Sequence, residues 1–333
     1  MRKIIGIGET ILDIIFQDEQ PTSATPGGSV FNGLITLGRL KSAGDPDFQG
    51  AEASQCGEGI RDTPAPFEVC FVSDVGRDRV GDLICRFMEQ NGVSSRWVNR
   101  HPSAKTAVSL AFLDQNHDAD YTFFKDYSYE GLQGEFPDIT ADDLVVFGSY
   151  YALNPLLRPR MKAFLEKARQ AGALIYYDVN FRKSHSYEAG YLEPVLRENF
   201  AYADILRGSE DDFRALYGGT LSPIDIYQNH IAPRCAHFIH TAGPGGISLQ
   251  TPSLSICRQA RRLEPLSTVG AGDNFNAGVL YGLIREGVSR RTLPLLNQAG
   301  WNRILDYALD FSAAVCRSYE NYISPEMARR YRR

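Results

Sequence analysis

Apolar and polar positions alternate along the chain in two periods. "KIIGIG", Lys3 to Gly8, reads as a buried first strand. "SVFNGLITLGRL" spaces Val30, Leu34, Leu37 and Leu40 as one helix face would. "FEVCFVSDVG" returns to a strand, and "DRVGDLICRFMEQNGV" is an amphipathic helix that stops at a glycine, Gly92. "DLVVFGS", "LLRPRMKAFLEKARQAG" and "ALIYYDVNFR" then read as strand, helix and strand, and "ADILRGS", "HFIHTAG" and the helix after "STVGAGD" continue the series. Such alternation predicts an α/β fold: a mostly parallel central sheet with helices on both faces. Two segments break it. Lys41 to Pro66 is rich in Gly, Pro, Ala and Ser and predicts a surface insertion over about 41–66. "AKTAVSLAFLDQNHDADYTFFK" combines β-branched and aromatic residues around a polar centre, which predicts an antiparallel hairpin outside the main layers.

The totals fit one large domain spanning 1–333. Of 333 residues, 43% are hydrophobic and 23% charged, enough for a sizeable core. A net charge of -5 argues against nonspecific binding of nucleic acid or an acidic membrane, yet leaves small anions open, because backbone dipoles and single cations hold those. Six scattered cysteines form no C-x-x-C pair, which predicts reduced thiols, a cytoplasmic protein and no structural zinc. Glu9 and Asp13 interrupt the apolar run near the N-terminus, so it reads as a strand and not a signal peptide; no run is long enough to span a membrane.

The chemistry concentrates in "STVGAGDNFNAG", Ser267 to Gly278, where glycines and an acid stand at the mouth of a helix. A helix N-terminus offers unpaired N–H groups and partial positive charge, and glycines admit a phosphate. Gly270, Ala271 and Gly272 are therefore candidates for an anion hole. Asp273 reads either as a helix-capping acid or as a general base that takes a proton from a hydroxyl. The P-loop pattern G-x-x-x-x-G-K-[ST] is absent.

The order of "TPGGSVFNGLITLGRL", "SDVGRDRVGDLICRFMEQNGV", "DVNFR", "ADILRGSEDDF", "HTAGPGG" and "STVGAGDNFNAG" resembles the ribokinase-like (PfkB) family of sugar and nucleoside kinases, over roughly Ile4 to Ala314. The resemblance implies a small β-sheet lid, formed by about 11–27 and 98–126, over the main layer. It implies ATP as phosphoryl donor, Mg2+ as cofactor, and Asp273 as an ionised, ordinarily titrating base beside the amides of Gly270 to Gly272. The matching sugar contacts are Asp13, Gly27, Gly28 and Asn32, with Lys125 on the lid and Arg182 of "DVNFR" as further cations. Thr241, Gly243 and Gly246 match the nucleotide segment. Ser209 takes the asparagine position of the family's N-x-x-E motif, and Asp212 the glutamate position, implying a contact to Mg2+ through water. Ser267 stands where the family usually carries an acid, so activation by a monovalent cation is not expected by that route. "GETILDIIF" resembles fructokinase-like members, which puts fructose first among the acceptors; a ribokinase, a 2-keto-3-deoxygluconate kinase, a nucleoside kinase or a non-catalytic sensor are the alternatives. An exposed strand edge on the lid allows a homodimer through it. A nicotinamide-dependent enzyme is disfavoured, because "GIGETI" lacks the third glycine of the dinucleotide fingerprint.

Overall fold

In the computed structural model the apolar runs become strands whose residues alternate between two buried faces. Ile4, Leu144, Val146, Leu174 and Tyr176 enter one core; Ile5, Ile7, Val145, Phe147, Ile175 and Tyr177 enter the other. A parallel strand covered on both sides has no solvent face, so its sequence reads as an unbroken apolar run. The structure describes residues 1–41, 66–113, 119–125 and 131–332. The expected 41–66 insertion, except for its two ends, lies outside them.

Strand β1 (Arg2–Ile7) leads into the hairpin β2 (Ile11–Gln17) and β3 (Gln20–Gly27), then helix α1 (Ser29–Arg39). Next come β4 (Phe67–Gly76), α2 (Arg79–Gln90), β5 (Val93–Ser94) and β6 (Val98–His101). A second hairpin, β7 (Val108–Leu113) and β8 (Ala119–Phe124), precedes β9 (Leu144–Gly148), α3 (Arg158–Ala171), β10 (Leu174–Asp178) and α4 (Ala189–Tyr202). Then follow β11 (Ile205–Ser209), α5 (Glu210–Tyr217), α6 (Pro223–Ile226), β12 (His237–Thr241), β13 (Ile247–Gln250) and β14 (Ser255–Arg258). Helices α7 (Ala271–Arg285), α8 (Gln298–Val315) and α9 (Pro325–Tyr331) come last.

One sheet runs in the order β14-β13-β12-β11-β10-β9-β1-β4-β5, with β6 also on β4. Its pairs are parallel from β12 through β5, and antiparallel where β13 and β14 extend the far edge. The first core gathers side chains of α1, α2, α7 and α8; the second gathers α3, α4 and α5. The chain leaves β1 toward β4 and later returns to its other side at β9. In sheets wound this way, ligands bind beyond the carboxyl ends of the strands where the order reverses.

The second sheet is β3-β2-β7-β8, with β2 and β7 parallel and the other pairs antiparallel. Its extent corrects the sequence-based lid boundary. Val98–His101 pairs with β4 of the large sheet, so the second contribution begins at Val108. Phe112 and Phe124 share one face of the small sheet and are exposed, Phe112 stacking on Phe16 with centroids 4.8 Å apart, while Phe123 lies on the opposite face with Ser109 and Asp13. Among the described residues no helix is long and apolar enough to cross a membrane.

Candidate active site

Helix α7 begins with a turn that only a glycine makes comfortably. Gly270 caps it at φ 76°, ψ −2°, in the left-handed region, with the carbonyl of Asn321 2.9 Å from where a Cβ would stand. Asn274 locks the turn, its Nδ2 donating to the carbonyls of Gly270 and Asn321 at 2.8 Å each. This sets Asp273 at the third helical position, half-buried. Asn32, on α1 and buried, donates its Nδ2 to Asp273 Oδ2 at 2.8 Å. The helices can approach this closely because Gly33 lies against the Asp273 carbonyl, 3.0 Å from the position of a Cβ.

Burial pushes the Asp273 carboxyl up to about 6. The Asn32 hydrogen bond opposes the rise, Asp178 adds to it, and Ser29 and Arg207 oppose it. This corrects the expectation of an ordinary carboxylate: Asp273 is still mostly ionised at neutral pH, but its proton affinity lies closer to that of a working base. Of the three candidate anion-hole amides, that of Ala271 donates to the Thr268 carbonyl at 3.2 Å. That bond closes the turn, and Gly270 and Gly272 are left for the role.

On one side of Asp273 lie the candidate acceptor contacts. Asp13 is on β2, accepting from the buried Ser109 hydroxyl of β7. Burial raises its carboxyl above the ordinary range, against the Ser109 bond and the nearby cations Arg182 and Lys125; Glu9 adds to the rise. Gly27 is needed because a Cβ there would come within 2.4 Å of Asp13 Oδ2. Gly28 sits at φ 132°, 2.3 Å from the Glu9 carbonyl by the same measure, and starts α1. These glycines first make room for the protein's own carboxylate and carbonyl, where the sequence suggested room for a sugar ring. Lys125 pairs with Glu9 at 2.7 Å and lies 4.9 Å over the Phe123 ring. Arg182 is exposed, close enough to Asp13 to act on its charge.

On the other side opens a cavity of about 560 Å³. Thr241, Gly243, Gly246, Thr268, Ala271 and Gly272 line its polar end, and Ile247, Leu263, Leu309 and Ala313 its apolar wall. A cleft of this size and mixed lining suits a nucleotide-sized ligand. Ser209 and Asp212 are not among its lining residues. They form a capping box at the start of α5: Asp212 N–H donates to Ser209 Oγ, and Ser209 N–H to Asp212 Oδ2 at 2.6 Å. Asp212 Oδ1 also accepts from the Phe181 N–H at 2.7 Å. Burial lifts its carboxyl to about 6, with Arg207 opposing and Asp178 adding. The geometry makes this pair a clamp joining the ends of β10 and β11. Among the described residues no group of three or more His, Cys, Asp or Glu is placed to hold a metal. Ser267 accepts from the Val269 N–H at 3.2 Å, with a neutral hydroxyl at that position.

The family model for pfkB carbohydrate kinases matches residues 1–326. The chain belongs to that family. As a pfkB carbohydrate kinase it is an ATP-dependent phosphotransferase that acts on a sugar hydroxyl. It is 23% identical over 287 residues to a fructokinase of Vibrio alginolyticus, covering 86% of this chain and 85% of that one. It is 24% identical over 299 residues to probable fructokinase-6, chloroplastic, of Arabidopsis thaliana, covering 85% and 70%. Its fold matches a fructokinase from Vibrio cholerae O395, solved with fructose, ADP and calcium ion, at TM-score 0.78 and 20% identity, over 100% and 99% of the two chains. It also matches an aminoimidazole riboside kinase from Salmonella enterica, solved with aminoimidazole riboside and an ATP analog, at TM-score 0.77 and 19% identity, over the whole of both chains.

Sequence reading of this pfkB kinase missed a buried network between the two sides. Arg207 Nη1 bonds Asp178 at 3.0 Å and Arg207 Nη2 bonds the Thr241 hydroxyl at 2.6 Å. Asp178 Oδ2 accepts from Asn276 Nδ2, and Asn276 Oδ1 accepts from the Tyr176 hydroxyl, both at 2.8 Å. Burial works against the Arg207 charge, but Asp178, Asp212 and Tyr176 hold its pKa well above the ordinary value. The available signal was a charged residue closing each of two apolar strands, in "YYDVNFR" and "ADILRGS". Asn321, which packs against both Gly270 and Gly27, had no sequence signal of its own.

Proposed function

We propose that this kinase transfers the γ-phosphoryl group of ATP to fructose, with Asp273 as general base. The observation that carries the reading is the Asn32–Asp273 pair, 2.8 Å, at the N-terminal turn of α7. A held carboxylate there, on the turn whose Ala271 and Gly272 line the 560 Å³ cavity, supports a base beside the nucleotide site. Asp273 takes the proton of the attacking hydroxyl, a new O–P bond forms, and the bond from the γ-phosphorus to its bridging oxygen breaks to leave ADP. The amides of Gly270 and Gly272 meet the charge on the phosphoryl oxygens. Asp13, Gly27, Gly28 and Asn32 shape the acceptor pocket, with Lys125 and Arg182 at its mouth. Thr241, Gly243 and Gly246 border the phosphates.

Fructose is supported by the names of the curated relatives, fructokinases from Vibrio alginolyticus and Arabidopsis thaliana among them. In this reading the chain is one kinase domain whose small sheet closes as a lid and excludes water. Mg2+ would enter with ATP and neutralise charge on its phosphates, with Asp212 reaching it through water. The exposed Phe112 and Phe124, on one face of the small sheet, support a second copy docking there. The test is ADP release in a coupled assay across fructose, other hexoses, ribose, 2-keto-3-deoxygluconate and nucleosides. Fructose is expected to give the highest kcat/KM. Phosphorylation confined to nucleosides refutes the fructose assignment, and binding without turnover across the panel refutes the catalytic one.

A further inference from the structure

The α7 turn carries a feature that its glycine pattern does not explain. Gly272 has an ordinary helical backbone, so conformational freedom is not what it supplies. Its missing side chain is filled by Arg207: Nη2 and Nη1 lie 3.1 and 3.2 Å from where a Cβ would stand, and Cζ lies 3.5 Å away. A guanidinium is therefore seated against the first turn of the helix. Two costs oppose that seat, since Arg207 is only 7% exposed and it lies at the positive end of the helix dipole. Asp178 offsets part of both, and Thr241 holds one edge of the fork. Arg207 nevertheless lines the same cavity as Thr241, Gly243, Gly246 and Gly272. Its buried Nε–H has no hydrogen-bond partner among the described residues. A desolvated guanidinium that borders this cavity at a helix N-terminus favours a multiply charged anion there.

We propose that Arg207 is the resident cation of the phosphoryl site, binding the outer phosphates of ATP from behind Gly272. The claim rests on the kinase reading and adds to it a residue that supplies positive charge to the phosphates. It also assigns Gly272 a reason: the glycine admits a guanidinium. An arginine placed only to pair Asp178 would act on the fold and not distinguish one nucleotide from another.

The test is calorimetric titration of the full chain with the β,γ-methylene analogue of ATP and, separately, with AMP. Arg207→Met is expected to weaken the triphosphate analogue about ten- to a hundredfold, the range for hydrogen bonds to a charged group, and to leave AMP within about twofold. Equal weakening of both ligands, or unchanged affinity for the analogue, overturns the proposal. Should Arg207→Met fail to fold by circular dichroism, Arg207→Lys keeps a charge at that seat and removes the fork. It is expected to weaken the analogue several-fold more than AMP, and a uniform effect again overturns the proposal. Failure of the unsubstituted protein to bind the analogue refutes the kinase reading itself, a result distinct from either variant's.

Discussion

Replacing Asn32 by leucine removes a side-chain amide that donates to the Asp273 carboxylate, at 2.8 Å. A hydrogen bond to a charged group contributes about 1.5–3 kcal/mol, and about 1.4 kcal/mol corresponds to one pH unit of proton affinity. Asp273 titrates at about 6 with this bond in place, so its loss moves the acid limb of activity to about 7–8. The sign follows from the chemistry. The base works when ionised, so raising its pKa removes activity from the low-pH side and spares the high-pH side. At pH 7 the ionised fraction falls from about nine-tenths to between about a half and a tenth. The kcat/KM of Asn32→Leu at pH 7 should thus drop about two- to tenfold from ionisation alone, and that part should return near pH 9. The fold should tolerate the change, since Asn32 Oδ1 is itself buried without a partner among the described residues. The assay is initial-rate ADP release from pH 5 to 10 at saturating ATP. An acid limb that stays at the unsubstituted position, with a loss uniform across pH, refutes the argument that Asn32 sets the proton affinity of Asp273.

Gly27→Ala would put a Cβ 2.4 Å from Asp13 Oδ2, so it should raise the acceptor KM at least about tenfold while leaving affinity for ADP within about twofold; steady-state kinetics and calorimetry check both. If the small sheet pairs two copies, Phe124→Asp, at a residue 57% exposed in the single chain, should shift the protein toward monomer in sedimentation velocity without lowering its melting temperature by more than a few degrees.

The sheet was legible because strands buried on two faces must be apolar throughout, and the glycine turns were legible because few other residues make them. What sequence could not supply is which charged groups meet. Asn32 and Asp273 stand 241 positions apart, and nothing local to either announces their bond. Arg207 and Asp178 each look like an ordinary strand-end charge, and only the parallel register of β10 and β11 sets them side by side. Asp212 occupies a motif position tied to metal binding, and the sequence did not show that one of its oxygens also closes the α5 capping box while the other accepts from Phe181.

The central claim is that a carboxylate at the mouth of α7 takes the acceptor's proton. Asp273→Asn keeps size and shape, so the variant should fold with a melting temperature within a few degrees of the parent and still bind ADP. Its kcat should fall about 10²–10⁴-fold at every pH tested. Turnover of the folded variant within about threefold of the parent would contradict the account.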